Sequence, residues 1–252
     1  MKAKNLAQEL DSWYEKICKP DFIALDPVQF PHCYKKRENI EISAFLAATI
    51  AWGRRDLILR SAKKMFALMG SCPYDFVMSG NYKTLRDRAA AESGQSGNIH
   101  RTFFESDLKY FCLGFKHIYE KYENLEKLFA SAPGIWEGMT LFREEMASAN
   151  KGQYSRHISD AETSACKKLN LALRWLVRKA PVDLGLWKKI PPSALYIPLD
   201  VHVARTARSL GLLERKSNDK KAVIALTEKL REFDKNDPVK YDFALFGMGA
   251  IG

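Results

Sequence analysis

No apolar run in this chain is long enough to cross a bilayer as a helix. Cysteine is scarce: the five, at 18, 33, 72, 112 and 166, are odd in number, scattered and never spaced C-x-x-C. That usage fits a reducing compartment and argues against a zinc or iron–sulfur site, so no metal and no cofactor are expected. Stretches that alternate apolar and polar residues, as half-buried strands do, are absent, and so are internal repeats. Acidic residues are in deficit, 30 Asp+Glu against 40 Lys+Arg, giving a formal net charge of +10. The excess points to a polyanionic partner, most simply nucleic acid, although a basic protein without such a partner has the same balance. Met1-Lys2-Ala3-Lys4-Asn5 leads into polar and acidic residues rather than an apolar signal core, which predicts a cytoplasmic protein.

What is present is helical period. With 252 residues the chain can form one large domain or two small ones with a sizeable core. Leu6, Leu10, Trp13, Tyr14 and Ile17 mark a first helix, followed by a proline-containing irregular arm from Pro20 to Pro31. Glu41 opens a helix with an Ile42, Phe45, Leu46, Thr49, Ile50 stripe that stops at Trp52-Gly53. Asp56 introduces another, and Ser71-Cys72-Pro73-Tyr74 breaks it. Residues 89–99 read as an exposed loop. Helices are expected within Phe103–Phe129 and over Trp136–Met146, with a polar break at Asn150-Lys151-Gly152. Ser164–Val177 reads as apolar nearly all round and hence buried. Val223, Leu226, Leu230 and Phe233 define a late amphipathic helix, and Asp237-Pro238 starts a last one that runs to Phe246, before Gly247. The expected fold class is all-α.

The segment Pro198-Leu199-Asp200-Val201-His202-Val203-Ala204-Arg205, running on to Leu210-Gly211, carries the most chemistry. A proline ends one segment and a helix begins directly after Asp200, with Val203, Ala207 and Leu210 on its apolar side. Asp200 therefore sits at a helix N-terminus, where free N–H groups and the dipole keep a carboxylate ionised. It is either a helix cap alone or a fixed anion that stabilises a developing cation or orients a water.

On those residues the chain resembles the helix-hairpin-helix base-excision DNA glycosylases, the relatives of endonuclease III and 8-oxoguanine DNA glycosylase. The resemblance extends to Phe45–Gly53 and Asp237–Gly247 and is nearest to a bacterial branch of the superfamily, itself most similar to the archaeal 8-oxoguanine type. It implies an all-α, DNA-glycosylase-like fold in which two helical subdomains flank a DNA-binding cleft. One would span about 41–198; the other would combine 1–40 with 199–252. It implies a base-excision repair enzyme, a DNA glycosylase with AP-lyase activity, removing a damaged base such as an oxidised purine. The partner would be double-stranded DNA containing a damaged base. The protein would be a monomer, associated with the nucleoid of a bacterium, with no membrane partner.

Bifunctional members use a lysine followed three positions on by Asn or Asp. Cys166-Lys167-Lys168-Leu169-Asn170 fits with Lys167 as nucleophile and Asn170 at the third position. Two adjacent lysines in a first helical turn also favour a neutral amine, because like charge, the dipole and partial desolvation act together. Lys168 remains the alternative nucleophile, and either lysine could instead contact a DNA phosphate. By the same resemblance Asp200 stabilises the oxocarbenium-like sugar. Trp52, Arg54 and Arg55 lie where relatives place the loop that fills the gap left by a flipped base, although Trp52 ending an amphipathic helix also suits the core. Arg54, Arg55 and Lys168 are phosphate contacts in this reading. Arg205 is a DNA contact, or with His202 it positions the Asp200 turn. Phe103, Phe104, Trp136 and Trp187 are candidates for an aromatic wall around the base. His100-Arg101-Thr102-Phe103 is either a further DNA contact or a surface loop.

Two departures stand out. The interval from Lys167 to Asp200 exceeds the superfamily's usual spacing, and His157–Cys166 contains no glycine, so a different turn must replace the Gly-rich hairpin that holds a phosphate. The inserted Arg178–Lys189 stretch is basic, with an exposed-looking Trp187 that either touches DNA, lines a base pocket or covers the core. The alternative function is a non-catalytic protein that binds a DNA lesion or structure on the same scaffold. A third, weaker reading is an enzyme acting on RNA or a small nucleoside.

Overall fold

The computed structural model describes residues 2–87 and 97–251. Among them the fold is all-α apart from one short hairpin. In chain order the helices begin with α1 (Lys2–Ile17), α2 (Asp21–Ala24), α3 (Gln29–His32), α4 (Arg37–Thr49), α5 (Arg55–Met69) and α6 (Pro73–Met78). The hairpin follows, β1 (Asn98–His100) antiparallel to β2 (Phe103–Phe104). Then come α7 (Glu105–Tyr122), α8 (Leu125–Ala130), α9 (Ile135–Ala149), α10 (Lys167–Val177), α11 (Val201–Ser209), α12 (Lys220–Arg231) and α13 (Tyr241–Ile251). Short 3-10 turns lie at Asn81–Thr84, Pro192–Ala194 and Pro238–Lys240. No described helix is long and apolar enough to cross a membrane.

The chain divides into two compact units, one of 1–24 with 159–252 and the other of 25–158. The boundaries therefore fall elsewhere than at the 40/41 and 198/199 breaks that the glycosylase resemblance implies. The reason lies in the packing. Residues 25–36 include α3, which packs on α4. α10 is tied by buried ion pairs to residues on and just before α13. Lys167 and Asp200 consequently belong to the same unit.

In the 25–158 unit α4 is the central helix. Ile42 and Ala44 to Ala48 are fully enclosed, and the Phe45 ring lies 5.0 Å from Phe142, 5.9 Å from Phe129 and 6.4 Å from Phe115. The helix opens at Arg37 rather than Glu41. Glu41 is fully buried within it, where its carboxylate accepts from the Tyr119 hydroxyl (2.9 Å) and the Leu125 amide (3.1 Å). It satisfies the start of α8, which is why a carboxylate suited to a helix start sits inside the core. The hairpin answers to no alternating pattern because it is only five residues of strand; Ile99, His100 and Phe103 are buried. The exposed loop expected over 89–99 lies mostly outside the described residues, and its end at Ile99 is buried.

In the other unit α13 packs along α1 and α11. The last helix does not stop at Gly247. A Cβ there would lie 2.5 Å from Ile17 Cγ1 and 3.0 Å from Trp13 Cε3, so this glycine marks the close approach of α1 and α13 rather than a helix end. The irregular arm from Pro20 onward contains two one-turn helices, α2 and α3.

Candidate functional site

α10 begins at Lys167. Ahead of it stands Cys166, a buried residue in the left-handed conformation (φ +46°). The glycine-free approach is built from side-chain turns: the Asp160 carboxylate accepts from the Glu162 amide (2.9 Å), and the Ser164 hydroxyl accepts from the Cys166 amide (3.3 Å). Serine and aspartate thus do what glycine does in a tighter turn, with one left-handed residue supplied by cysteine. The Lys220 amide donates to the Thr163 carbonyl (3.1 Å), tying this turn to the start of α12, where Asp219 is the cap.

Asp200 caps α11: its Oδ1 accepts from the amides of His202 and Val203, each at 2.9 Å. Its other oxygen faces the nucleophile candidate. Lys167 Nζ lies 3.3 Å from Asp200 Oδ2, and the two side chains are 31 % and 24 % exposed, so a ligand can reach both. Capping and pairing use different oxygens of one carboxylate. Lys168 points about 100° around the helix from Lys167; the ion pair with Asp200 is made by Lys167. Asn170, three residues after Lys167, is buried; its Nδ2 donates to the Ala165 carbonyl (3.0 Å), while its Oδ1 is enclosed without a hydrogen bond.

α10 is not apolar all round. Lys167, Asn170 and Arg174 share one stripe, and Arg178 follows at its end. The lower part of that stripe is a buried charge chain. Arg178 joins Asp237 (2.8 Å) and Asp183, while Arg174 joins Asp183 (3.3 Å) and Asp242. The Arg174 guanidinium also lies 4.2 Å from the centre of the Phe243 ring. Asp242 is the second residue of α13. Burial pushes its carboxyl up to about 6; Arg174 pulls it down, Asp200 up, Lys167 down and Asp183 up. All of these groups belong to one unit.

The inserted stretch after α10 folds back as its C-terminal cap. The Leu184 amide donates to the Trp175 carbonyl and the Trp187 amide to the Leu176 carbonyl, both at 2.8 Å. Trp187 is 1 % exposed, so it is a core residue and not the exposed side chain that the sequence suggests. Arg178 and Asp183 are equally enclosed. Its lysines, Lys179, Lys188 and Lys189, are exposed, whereas Arg178 is paired inside with Asp183 of the same stretch and with the distant Asp237.

A family model described as a protein of unknown function (DUF2400) matches residues 26–251. The chain belongs to the DUF2400 family. No curated protein and no solved structure matches it.

The remaining candidate residues of this DUF2400 member are divided between the two units. Trp52, Arg54 and Arg55 are in the 25–158 unit. The Arg101 guanidinium sits 5.0 Å from the centre of the half-buried Trp52 ring and packs on Gly53 (φ +101°), where a Cβ would lie 2.8 Å from it. His100 is buried beneath, its ring nitrogens at 2.9 Å from the Ser61 hydroxyl and from the Trp52 carbonyl. Arg54 is exposed and forms a surface pair with Asp56 (2.9 Å); Arg55 is exposed as well. Arg205 and His202 are exposed on α11, with Arg205 beside a pocket that Glu9, Trp13 and Met248 also line. Of the aromatic candidates, Phe103 and Trp136 are enclosed like Trp187, and Phe104 lines a surface cleft with Tyr110, Tyr154 and Arg156. Arg174, Asp183, Asp237 and Asp242 are the residues that sequence reasoning passed over. Their signal is a charge set inside an apolar run, as in Val182-Asp183-Leu184 and Tyr241-Asp242-Phe243, which requires a buried partner.

Proposed function

We propose that the protein is a DNA-glycosylase-like enzyme acting on damaged duplex DNA, with Lys167 as the nucleophile and Asp200 as the stabilising carboxylate. The observation that carries this reading is the 3.3 Å approach of Lys167 Nζ to an aspartate that is also locked as a helix cap. In this reading the target base is flipped out of the stack. The Lys167 amine, once it has lost its proton, attacks the sugar C1′ and the base leaves with the glycosidic electron pair. The ring opens to an iminium between C1′ and Nζ. Loss of a C2′ proton and departure of the 3′ phosphate then cleave the strand. Asp200 faces the developing positive charge, held in place by two amides so that it does not have to reorganise. Lys167 is preferred to Lys168 because of its pairing with Asp200. Trp52, Arg54, Arg55 and Arg205 are proposed DNA contacts, and the +10 charge suits a duplex partner. The glycosylase-like character of the two helical units belongs to this proposal, as do a monomeric state and a place on the nucleoid.

Borohydride trapping tests it. The parent, Lys167→Gln, Lys168→Gln and Asp200→Asn are incubated with duplexes carrying an abasic site, 8-oxoguanine or uracil. The expected result is a covalent adduct that is lost in Lys167→Gln and kept in Lys168→Gln. Tight binding with no adduct on any duplex would replace this reading with that of a monofunctional glycosylase resting on Asp200 alone or of a non-catalytic lesion binder.

A further inference from the structure

Two turns far apart in the chain meet in the 25–158 unit, the α4–α5 turn at Trp52-Gly53 and the hairpin turn at Arg101-Thr102. Arg101 stands in the left-handed region (φ +49°), which a residue with a side chain rarely occupies unless its surroundings hold it there. The hold is built from three contacts. Asn98 Nδ2 donates to the Arg101 carbonyl (2.5 Å), Lys64 Nζ donates to the Asn98 carbonyl, and the His100 ring links the Trp52 carbonyl to the Ser61 hydroxyl. The Arg101 guanidinium is thereby laid over the Trp52 indole and against Gly53, whose lack of a Cβ gives it room. Arg101 is exposed, and among the described residues no carboxylate or other hydrogen-bonding partner engages its side chain. The neighbouring Arg54, by contrast, is paired with Asp56.

A solvated arginine without a partner moves among many rotamers, and a ligand that binds it must order it. Stacking on an aromatic face orders the guanidinium beforehand. The planar edge with its N–H groups stays open, and such an edge matches two oxygens of a phosphate with two parallel hydrogen bonds. A purely structural role fits less well, because His100, Asn98 and Lys64 already fasten the hairpin to α5 and its preceding turn, and glycine suits φ +49° better than arginine. We infer, resting on the duplex-DNA reading above, that Arg101 is a phosphate-binding residue: its guanidinium takes a backbone phosphate of the duplex, with Trp52 as the platform that holds it. The indole face under Arg101 is covered, so Trp52 serves the contact by supporting the arginine rather than by wedging between bases.

Binding of a fluorescein-labelled undamaged duplex, followed by anisotropy over a series of KCl concentrations, tests this. Arg101→Gly removes the guanidinium at a backbone angle that glycine favours, so its thermal midpoint should stay close to the parent's. The slope of log K against log[salt] should become shallower by about one in this variant, as for one lost phosphate contact. Arg101→Lys should keep the slope but bind more weakly, because an ammonium lacks the planar fork. Trp52→Leu should do the same, because the guanidinium is no longer held. An unchanged slope in Arg101→Gly overturns the inference, and so does parental affinity in Arg101→Lys or Trp52→Leu, or a parent that binds no duplex. Should Arg101→Gly not fold, Arg101→Gln carries the same expectation for the slope. Borohydride trapping of the same proteins separates the two proposals. An adduct with the slope unmoved in Arg101→Gly removes Arg101 only, and a shallower slope without any adduct removes the lyase reading only.

Discussion

A single carboxylate can serve stability and chemistry with different oxygens, and Asp200 allows the two to be separated. Its Oδ1 caps α11 while Oδ2 meets Lys167. Asparagine caps a helix about as well as aspartate but carries no charge. Asp200→Asn should therefore keep the urea midpoint close to the parent's while losing adduct formation, whereas Asp200→Ala should lose both, with stability down by about 1 kcal/mol. A large loss of stability in the asparagine variant would mean that the ion pair, not the cap, holds this end of α11. Arg178 makes a different case. It is fully enclosed, and the equally buried Asp183 bridges it to Arg174, while Asp237 and Asp242 each hold one of the two guanidiniums from the other side. Asp183→Asn leaves each arginine with one carboxylate and should cost roughly 1.5–3 kcal/mol in chemical denaturation.

At the scale of elements, close approach governs the contact of α1 with α13. Gly247 lets the backbone of α13 come against Ile17 and Trp13. Gly247→Ala gains helix propensity but pushes a methyl into those side chains, and overpacking outweighs the propensity term. Thermal unfolding should show a net loss of about 1–3 kcal/mol; a stabilised variant would show that α1 can shift outward freely. The same glycine shows why element ends were misread. In isolation a glycine after an apolar run is a stop signal, and only the presence of α1 makes it a contact. Glu41 is the same case at the other end of a helix. An acidic residue ahead of an apolar stripe reads as a first-turn residue, and its real partners, Tyr119 and Leu125, lie far along the chain.

For the whole molecule the carboxylates determine the acid limit. Burial raises the pKa values of Glu145, Asp107 and Asp234, but hydrogen bonds outweigh it and leave all three lowered. Lys121, Tyr122 and His117 do so for Glu145; His157 and the Phe104 amide for Asp107; Lys240 with two backbone amides for Asp234. The stability they contribute is complete above their unfolded values and is lost as pH falls through the lower folded ones. Asp242 has the opposite sign. Its folded carboxyl binds a proton near pH 6, before the unfolded one does, so its contribution grows as pH falls from about 6 to its unfolded value. Urea midpoints measured against pH should hold up, or rise, on going from neutral to mildly acidic solution and then collapse in stronger acid. In Asp242→Asn the mildly acidic rise should vanish. A parental midpoint that falls steadily from pH 7 would contradict this assignment of signs.

Much of the molecule was already written in the order of its residues. Apolar period predicted the helical class and most of the helices, because a helix that buries one face needs a repeat that any neighbour can satisfy. The cap at Asp200 was legible for a similar reason, since its partners His202 and Val203 are two and three residues away. Tertiary structure alone decided which of two adjacent lysines meets Asp200, that Trp187 is core, and that Arg174 and Arg178 are interior charges matched by Asp183, Asp237 and Asp242. It also decided that the chain divides after residues 24 and 158, which puts Lys167 and Asp200 in one unit. Caps and periods are local interactions, encoded within a turn or two of chain. Buried ion pairs and unit boundaries depend on which distant segments meet, and a buried charge looks like a solvated one until its partner is in place.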